Sequence, residues 1–478
     1  MARRTPDTPR GFLLVQVDAL SWQTLLFAMR RRRLRFLTRL FKGRHQRHGF
    51  DVTPLRPGVP ATTPKVQAEL LYGARQRFPG FRFLNRASGE TTYFGNLFEV
   101  ARIERNQFAG RFGILENSGA SYFNIFDGGA DRATFSSAGV GAGSLFPTKD
   151  GRLARVAYRC KLALWALITM PRVIYRTTAE AARETYDILR DFKNHELHRG
   201  SFSYVIRSLA NVLASELTLA AVGHELREGT RHLFVNFIGY DKAAHLRGPR
   251  HAYALWSLSL VDRDLKRLHR LARRARRCSY DFYIMSDHGM APSRPIAEHA
   301  GRPFEELLEE ALADQSPPAP ALRLRATGNL AHLYLGAGES PLLDGEVAQL
   351  VPLLKETLAE SRYVAWWVSR SPYNGLFYHR GAAVAHVLRD SPPPAGLDAP
   401  LLADLFALLD LPDSGDLVLF AAREEGLVWN FLDEYGCHGG NEPEEQDAFV
   451  IHPRRAFGQR LGLTPLDLFQ HFRDTYHN

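Results

Sequence analysis

Three carboxylates and two histidines follow short apolar runs of the chain. They are Asp18 after GFLLVQV, Asp241 and His245 after HLFVNFIGY, and Asp287 and His288 after DFYIMS. Short runs rich in Val, Ile and Phe predict buried strands. In open α/β sheets, ligands bind outside the carboxyl ends of the strands. Asp and neutral His are ligands that zinc prefers, so the sequence predicts a metal site at this edge.

The spacing of these residues is compatible with one shared site. Asp241 and His245, at positions i and i+4, lie on one side of a helical turn. Asp287 and His288 would point to opposite faces of a regular strand, but the chain can turn at the glycine that follows them. His438 lies in the Gly-rich segment EYGCHGGNEPEE. Each residue alone could be a helix cap or a turn residue, and their conjunction is what indicates a site.

Two adjacent threonines precede a predicted helix in PATTPKVQAELLYG, residues 60–73. Pro64 suits the first helical position, and the positive end of a helix favours an anion beside Thr63. A threonine hydroxyl is a poor nucleophile unless something stabilises its alkoxide. The chain has no GxSxG motif, and direct coordination to Zn²⁺ can stabilise such an alkoxide, because the ion lowers the pKa of a bound oxygen. Taken alone, this segment predicts only a capped helix start.

Five sequence blocks, in chain order, resemble the alkaline phosphatase superfamily, and within it the type I phosphodiesterase/nucleotide pyrophosphatase family. The blocks are VQVDAL, TTPKVQAELLYG, GYDKAAHLRGP, MSDHGMAP and GCHGGNEPEEQDAF. The resemblance spans residue 18 to about residue 450. It implies an α/β, alkaline-phosphatase-like three-layer fold, with a central, mostly parallel sheet flanked by helices. It also implies two divalent metal ions, expected to be Zn²⁺.

The resemblance assigns a role to each of these residues. Thr63 would be the nucleophile and also a metal ligand, because the family's nucleophile and its helix-closing glycine span eleven residues, as Thr63 and Gly73 do here. Thr62 is the competing candidate. One metal would be held by Asp18, Thr63, Asp287 and His288, and the other by Asp241, His245 and His438.

The family also has an asparagine, shortly after this helix, that donates to the substrate phosphate. Asn85 is the favoured candidate, one residue beyond the expected spacing, and Asn96 and Asn117 lie further along. One departure concerns Tyr72, which stands where the family usually has Thr or Ser before the closing glycine. This departure puts the wall of the substrate pocket in doubt and leaves the metal ligands unaffected.

These roles predict a metal-dependent hydrolase of phosphodiester or phosphoanhydride bonds. Thr63 would attack phosphorus and form a phosphothreonine intermediate, which water then hydrolyses. Two alternatives keep the same chemistry: a phosphomonoesterase, and a phosphotransferase or hydrolase that acts on lipid head groups at a membrane surface. The alternative without catalysis is a metal-bound scaffold that docks on membranes.

The formal net charge of the 478-residue chain is +10, and the charge is unevenly distributed. No acidic residue occurs between Asp18 and Asp51, or between Asp150 and Glu180, where Arg and Lys alternate with Leu, Phe and Trp. This pattern favours peripheral contact with an anionic membrane over nucleic-acid binding. Amphipathic helices packed on the sheet would account for it equally well. No apolar run reaches the roughly 20 residues of a membrane span, so we expect a protein that is either cytoplasmic or peripheral at the membrane.

Apolar runs alternate with helical patterns along the chain, which predicts a largely parallel sheet with helices on both faces. The predicted strands are residues 11–17, 111–115, 232–238, 281–286, 331–336, 364–369, 375–381, 416–422 and 448–453. Residues 150–228 form an almost continuous helical pattern. We therefore predict a single catalytic domain, residues 1–478, with a helical insertion at 150–228. The three cysteines are far apart and predict neither a disulfide framework nor a cysteine zinc site.

Overall fold

A computed structural model describes most of the chain. The described residues are 8–42, 49–75, 77–134, most of 167–189, 203–313 and 320–477, apart from positions 337, 455 and 459. The predicted insertion therefore lies partly outside them. Its described part is helical, including the long helix Ser203–Glu228, and the division of the chain into a domain and an insertion stays a prediction.

The centre of the fold is a seven-stranded sheet. In sheet order its strands are β2 (Phe50–Leu55), β19 (Ala448–Pro453), β8 (Ser279–Met285), β1 (Arg10–Val17), β7 (His232–Phe237), β5 (Gly119–Tyr122) and β6 (Arg132–Thr134). The five strands from β8 to β6 are mutually parallel, while β19 runs antiparallel to β2 and β8. The predicted α/β fold with a mostly parallel central sheet is confirmed.

Helices cover both faces of this sheet, as the continuous apolar sequence of β1 requires. Leu13, Val15 and Val17 pack on one face with helices Trp22–Arg30, Arg35–Lys42, Ser203–Glu228, Gly239–Arg247 and Ala252–Arg274. Phe12 and Leu14 pack on the other face with helices Thr63–Tyr72, Leu97–Phe108 and Pro465–Tyr476. The alternation of side chains along a strand divides the apolar residues of β1 between the two layers.

A second sheet of six strands is antiparallel throughout. Its order is β10 (Leu322–Thr327), β11 (Leu330–Leu335), β15 (Leu417–Ala421), β12 (Val364–Ser371), β13 (Gly375–Arg380) and β14 (Ala383–Leu388). The predicted strands at 331–336, 364–369, 375–381 and 416–422 exist, but their inclusion in one parallel sheet was wrong. Short turns join β10 to β11 and β12 to β13 and β14, and such turns can join only antiparallel neighbours.

The remaining elements are short. Small sheets contain β3 (Arg82–Asn85) with β4 (Glu90–Tyr93), and β16 (Arg423–Glu424) with β17 (Leu427–Asn430), β9 (Ala291–Pro295) and β18 (Gly436–Cys437). Further helices are Ile296–Ala300, Phe304–Ala311, Asp344–Leu350, Leu354–Glu360, Ala399–Leu409 and Pro443–Gln446. The strand predicted at 111–115 was wrong, because this segment is a turn whose Ile114 N–H bonds to Leu71 O. Within the described residues, no helix has the length and apolarity needed to cross a bilayer.

Candidate metal centre

Thr63 lies at the meeting point of the sheet and its covering helix. The helix begins at Thr63, with Pro64 in its first turn, and ends at Gly73, whose φ of 60° is a left-handed conformation that favours glycine. The Thr63 side chain is buried. Its Oγ1 lies 3.4 Å from Asp18 Oδ1 and 3.3 Å from His288 Nε2. The predicted nucleophile therefore contacts two predicted ligands, whereas Thr62 Oγ1 is buried and has no hydrogen-bond partner among the described residues.

A first group of candidate ligands contains Asp18, Asp287 and His288, which offer donor atoms within 4.8 Å of one another. Asp18 follows β1, and the other two follow β8. The two strands are parallel neighbours in which Gln16 pairs with Met285, so their carboxyl ends coincide. All three side chains are buried, and the Ala19 N–H donates to Asp287 Oδ1 at 3.2 Å.

A second group contains Asp241, His245 and His438. Asp241 and His245 lie one turn apart on helix Gly239–Arg247, with Asp241 Oδ1 3.1 Å from His245 Nε2. His438, in the loop between β18 and helix Pro443–Gln446, places its Nε2 3.1 Å from His245 Nε2. The two groups adjoin, because the rings of His288 and His438 stack with centroids 3.9 Å apart.

The hydrogen bonds of the three histidines fix the tautomer that a metal requires. Nδ1 lies 2.9 Å from Gly436 O in His245, 2.9 Å from Ala61 O in His438 and 3.0 Å from Gly289 O in His288. A carbonyl oxygen can only accept, so Nδ1 carries the hydrogen and the neutral ring presents a lone pair at Nε2. All three Nε2 atoms face the two ligand groups.

The carboxylates of the first group lack a compensating positive charge. Burial, reinforced by Asp287 and Asp241, raises the pKa of Asp18 well above its ordinary value. Burial raises the pKa of Asp287 to about 6, and Asp287 Oδ2 accepts no hydrogen bond from any described residue. A divalent cation would reverse both shifts, since it favours the ionised form of its ligands. The donor set therefore fits a bound metal.

Burial also keeps two of the histidines neutral. It lowers the pKa of His288 to about 4 and, with the neighbouring His288 adding to the effect, that of His438 to about 3. His245 differs, because burial lowers its pKa but the carboxylates of Asp241 and Glu434 raise it more. Glu434 Oε2 lies 2.9 Å from His245 Nδ1. The charge of Glu434 therefore increases the basicity of the His245 ring, while Gly436 O accepts the Nδ1 hydrogen.

Sequence reasoning missed the polar residues that support Asp18. Asn236 Nδ2 donates to Asp18 Oδ2 at 2.8 Å, and Gln16 Nε2 lies 3.5 Å from the same oxygen. Gln67, on the Thr63 helix, donates to Gln16 Oε1 at 3.2 Å. The signal was present in the sequence, since Gln16 and Asn236 are single polar residues inside the apolar runs FLLVQV and HLFVNF, and buried polar groups need partners.

Asn85 stays a prediction. It ends β3, and its Oδ1 accepts the Ser88 N–H at 3.0 Å, as a turn residue does. No hydrogen bond joins it to Thr63 or to a candidate ligand within the part of the chain that the structure describes. Tyr72 is likewise engaged elsewhere, because its hydroxyl bonds to Glu104 and Asp127.

A cavity of about 340 Å³ adjoins the site. Asn236 lines it while bonding to Asp18, and Lys242 lines it next to Asp241 in the sequence. The rest of its wall is largely apolar, with Phe123, Val212, Leu213, Leu217, Leu260 and Val261. The volume falls within the range of small-molecule sites, about 300–1,000 Å³.

Comparison with known structures places the fold. Phosphonoacetate hydrolase from Sinorhizobium meliloti 1021, solved with phosphonoacetate, is 16% identical with a TM-score of 0.51, covering 99% of this chain and 97% of its own. Murine ectonucleotide pyrophosphatase/phosphodiesterase 5 is 12% identical with a TM-score of 0.52, covering 98% and 95%. The alkaline phosphatase PafA is 12% identical with a TM-score of 0.55, covering 96% and 94%. At these identities the likeness shows the alkaline phosphatase fold alone.

A family model gives the closer assignment. The model of type I phosphodiesterase/nucleotide pyrophosphatase matches residues 137–424, more than half of the chain. The match includes Asp241, His245, Asp287 and His288, while Asp18, Thr63 and His438 lie outside it. No curated protein matches the chain. The predicted resemblance is confirmed: the chain has the alkaline phosphatase fold, belongs to the type I phosphodiesterase/nucleotide pyrophosphatase family and is a phosphoester hydrolase of that family.

Proposed function

We propose that the chain hydrolyses phosphodiester or phosphoanhydride bonds through Thr63 and two divalent metal ions, Zn²⁺ being the best fit to the donors. One observation carries the proposal: Thr63 Oγ1 contacts Asp18 and His288 of one ligand group, and that group adjoins the other through the stacked His288 and His438. Asp18, Thr63, Asp287 and His288 would hold one ion, and Asp241, His245 and His438 the other.

When bound, the ions would supply positive charge that stabilises the alkoxide of Thr63 and the developing charge on the phosphoryl oxygens. The remaining steps use the chain's own groups. Thr63 attacks phosphorus from the start of its helix, where backbone N–H groups favour an anion, and the bond to the leaving oxygen breaks. The phosphothreonine is then hydrolysed by water, which restores the hydroxyl of Thr63.

A small phosphoester substrate is supported by the structural neighbours. The murine ectonucleotide pyrophosphatase/phosphodiesterase 5 was solved as an inactive threonine-to-alanine variant in complex with AMP, which supports a nucleotide and a threonine nucleophile by analogy of fold. A second candidate substrate is a lipid head group. The largely apolar cavity beside Asn236 and Lys242 favours it, since such a wall suits a phosphoester with an apolar body.

Thr63→Ala tests the proposal, with Thr62→Val as the matched control. Both variants are loaded with Zn²⁺ and assayed with bis(p-nitrophenyl) phosphate and with p-nitrophenyl phosphate. We expect Thr63→Ala to lower turnover at least about a thousandfold, as losing a nucleophile does, and Thr62→Val to stay close to wild type. Unchanged turnover in Thr63→Ala would rule out this site. A higher rate with the monoester would favour the phosphomonoesterase alternative, and no turnover in the metal-loaded wild type would favour a scaffold.

A further inference from the structure

Exposed arginines crowd one surface that the proposed chemistry does not use. Helices Trp22–Arg30 and Arg35–Lys42 and the turn between them expose six arginines: Arg30, Arg31, Arg32, Arg33, Arg35 and Arg39. No carboxylate is available from their own segment, because no acidic residue lies between Asp18 and Asp51. The apolar positions Leu34, Leu37 and Leu40 are buried in the core. The helices therefore bury one side and present a dense positive charge on the other.

Helix Ala252–Arg274 continues this positive surface. Its Asp262 accepts the backbone N–H groups of Phe36 and Leu37, both at 2.9 Å, and so docks the arginine-bearing helix on one flank. Two residues later, on the opposite flank, Asp264 accepts Arg176 Nη2 at 2.9 Å. Side chains two positions apart on a helix point in directions that differ by about 200° around its axis, so Asp262 and Asp264 lie on opposite sides of this helix. The surface of the helix between these two sides faces outward. The exposed arginines of this helix are Arg263, Arg270, Arg273 and Arg274.

The helical segment that contains Arg176, and that Arg176 holds against Asp264, exposes an apolar stripe. Leu167, Met170 and Ile174, at positions i, i+3 and i+7, are 73%, 46% and 59% exposed, and Tyr175 beside them is also exposed. Val173 and Arg176 face the protein instead, Val173 being buried and Arg176 bonding to Glu216 and Asp264. Helical spacing of exposed apolar residues is an amphipathic pattern turned toward the outside.

We propose a docking surface for an anionic phospholipid bilayer. It consists of this apolar stripe and the exposed arginines of helices Trp22–Arg30, Arg35–Lys42 and Ala252–Arg274. Charge complementarity favours a polyanion, and each exposed arginine near an anionic lipid surface strengthens binding. The stripe distinguishes a bilayer from a nucleic acid, because apolar side chains gain by insertion at the boundary of head groups and acyl chains. The proposed membrane docking is a separate property from the proposed reaction and does not depend on it.

Vesicle co-sedimentation tests the surface, with full-length protein and vesicles of phosphatidylglycerol and phosphatidylcholine or of phosphatidylcholine alone. We expect binding only to the anionic vesicles, and weaker binding as salt rises. The variant Arg30→Gln, Arg33→Gln, Arg35→Gln, Arg39→Gln should weaken that binding at least about tenfold. The variant Met170→Ser, Ile174→Ser should also weaken binding to the anionic vesicles. At high salt, where binding through charge is screened, this variant should lose more of the remaining binding than the arginine variant does.

The matched control removes the same charge elsewhere: Arg75, Arg102, Arg105 and Arg111, all exposed, are replaced by Gln. This control should bind anionic vesicles as the wild type does. Equal weakening by the control would mean that net charge alone matters and would overturn the proposal. So would unchanged binding in either surface variant, or arginine-dependent binding of duplex DNA without vesicle binding. Circular dichroism of every variant separates a binding loss from unfolding.

Discussion

His438 Nε2 lies 3.1 Å from His245 Nε2, and both rings use Nδ1 to bond to backbone carbonyls. In the neutral form that a metal ion binds, the two imidazoles held this way would direct their Nε2 lone pairs into the same space, where one cation could accept both. Two nitrogens on one tetrahedral zinc lie about 3.3 Å apart when each Zn–N distance is about 2.0–2.1 Å. The backbone contacts therefore hold the two rings in an arrangement that fits the single shared ion of the proposed site.

Removing His438 should cost the chain one of two bound metal ions. We expect His438→Ala, dialysed against trace Zn²⁺, to retain about one ion per chain where the wild type retains two, because Asp241 and His245 alone bind weakly. Inductively coupled plasma mass spectrometry measures the content. His299→Ala, a substitution of an exposed histidine, should keep both ions. Equal metal content in His438→Ala and wild type would remove His438 from the ligand set.

Glu434 should affect zinc affinity through His245, without contacting the substrate. Glu434→Gln removes the charge 2.9 Å from His245 Nδ1, so we expect zinc affinity at the second group to fall about 10- to 100-fold. Competition with a chromogenic chelator measures the affinity, and added Zn²⁺ should restore turnover. Glu425→Gln, at an exposed glutamate nearby in the chain, is the control. If the two variants bind zinc equally, the Gly436 carbonyl alone orients His245.

The strand ends of the catalytic sheet were predictable, because they depend on local sequence. Short apolar runs such as GFLLVQV predict buried strands, and a polar residue that ends such a run is expected at the carboxyl end of its strand. Asp18 and Asp287 could therefore be placed on one edge before the order of β1 and β8 was known. The structure confirms these strands and brings both residues together.

The features that the sequence did not predict depend on contacts between segments far apart in the chain. The antiparallel second sheet differs from the first in pairing and not in local sequence: β12 pairs with β15 although about fifty residues separate them. The hydrogen bond of Asn236 to Asp18 likewise joins residues far apart in the chain. The charge around Glu434 was missed for the same reason, since only the fold brings it to His245.

The buried network beneath Asp18 should contribute to stability. Gln67 donates to Gln16 Oε1 and Asn124 Oδ1, both at 3.2 Å, and its Oε1 accepts the Ile125 N–H at 2.8 Å. Gln67→Leu would leave those buried groups without partners, at about 1–3 kcal/mol for each unsatisfied group. Urea unfolding should show at least that loss, while Gln107→Leu, at an exposed position of helix Leu97–Phe108, should change little. A Gln67→Leu protein as stable as wild type would contradict the role of this network.

Tyr72 marks a buried acidic cluster at the far end of the Thr63 helix. Its hydroxyl lies 2.6 Å from Glu104 Oε1 and 2.9 Å from Asp127 Oδ1. One hydroxyl hydrogen cannot serve both carboxylates, so a second proton is favoured in the cluster. Burial, with the charge of Asp127 adding to it, raises the pKa of Glu104 to about 8 from an ordinary value of 4.5.

This raised pKa predicts how stability depends on pH. Between about pH 5 and pH 8 the folded chain holds a proton on Glu104 that the unfolded chain has lost, so the free energy of unfolding should fall as the pH rises through that window. The slope for one proton is at most about 1.4 kcal/mol per pH unit. Glu104→Gln keeps an acceptor but cannot ionise, so its melting temperature should fall less between pH 5.5 and 8.5 than that of the exposed control Glu90→Gln. If the melting temperatures of the two variants fell equally between pH 5.5 and 8.5, Glu104 would ionise normally and the cluster would need no second proton.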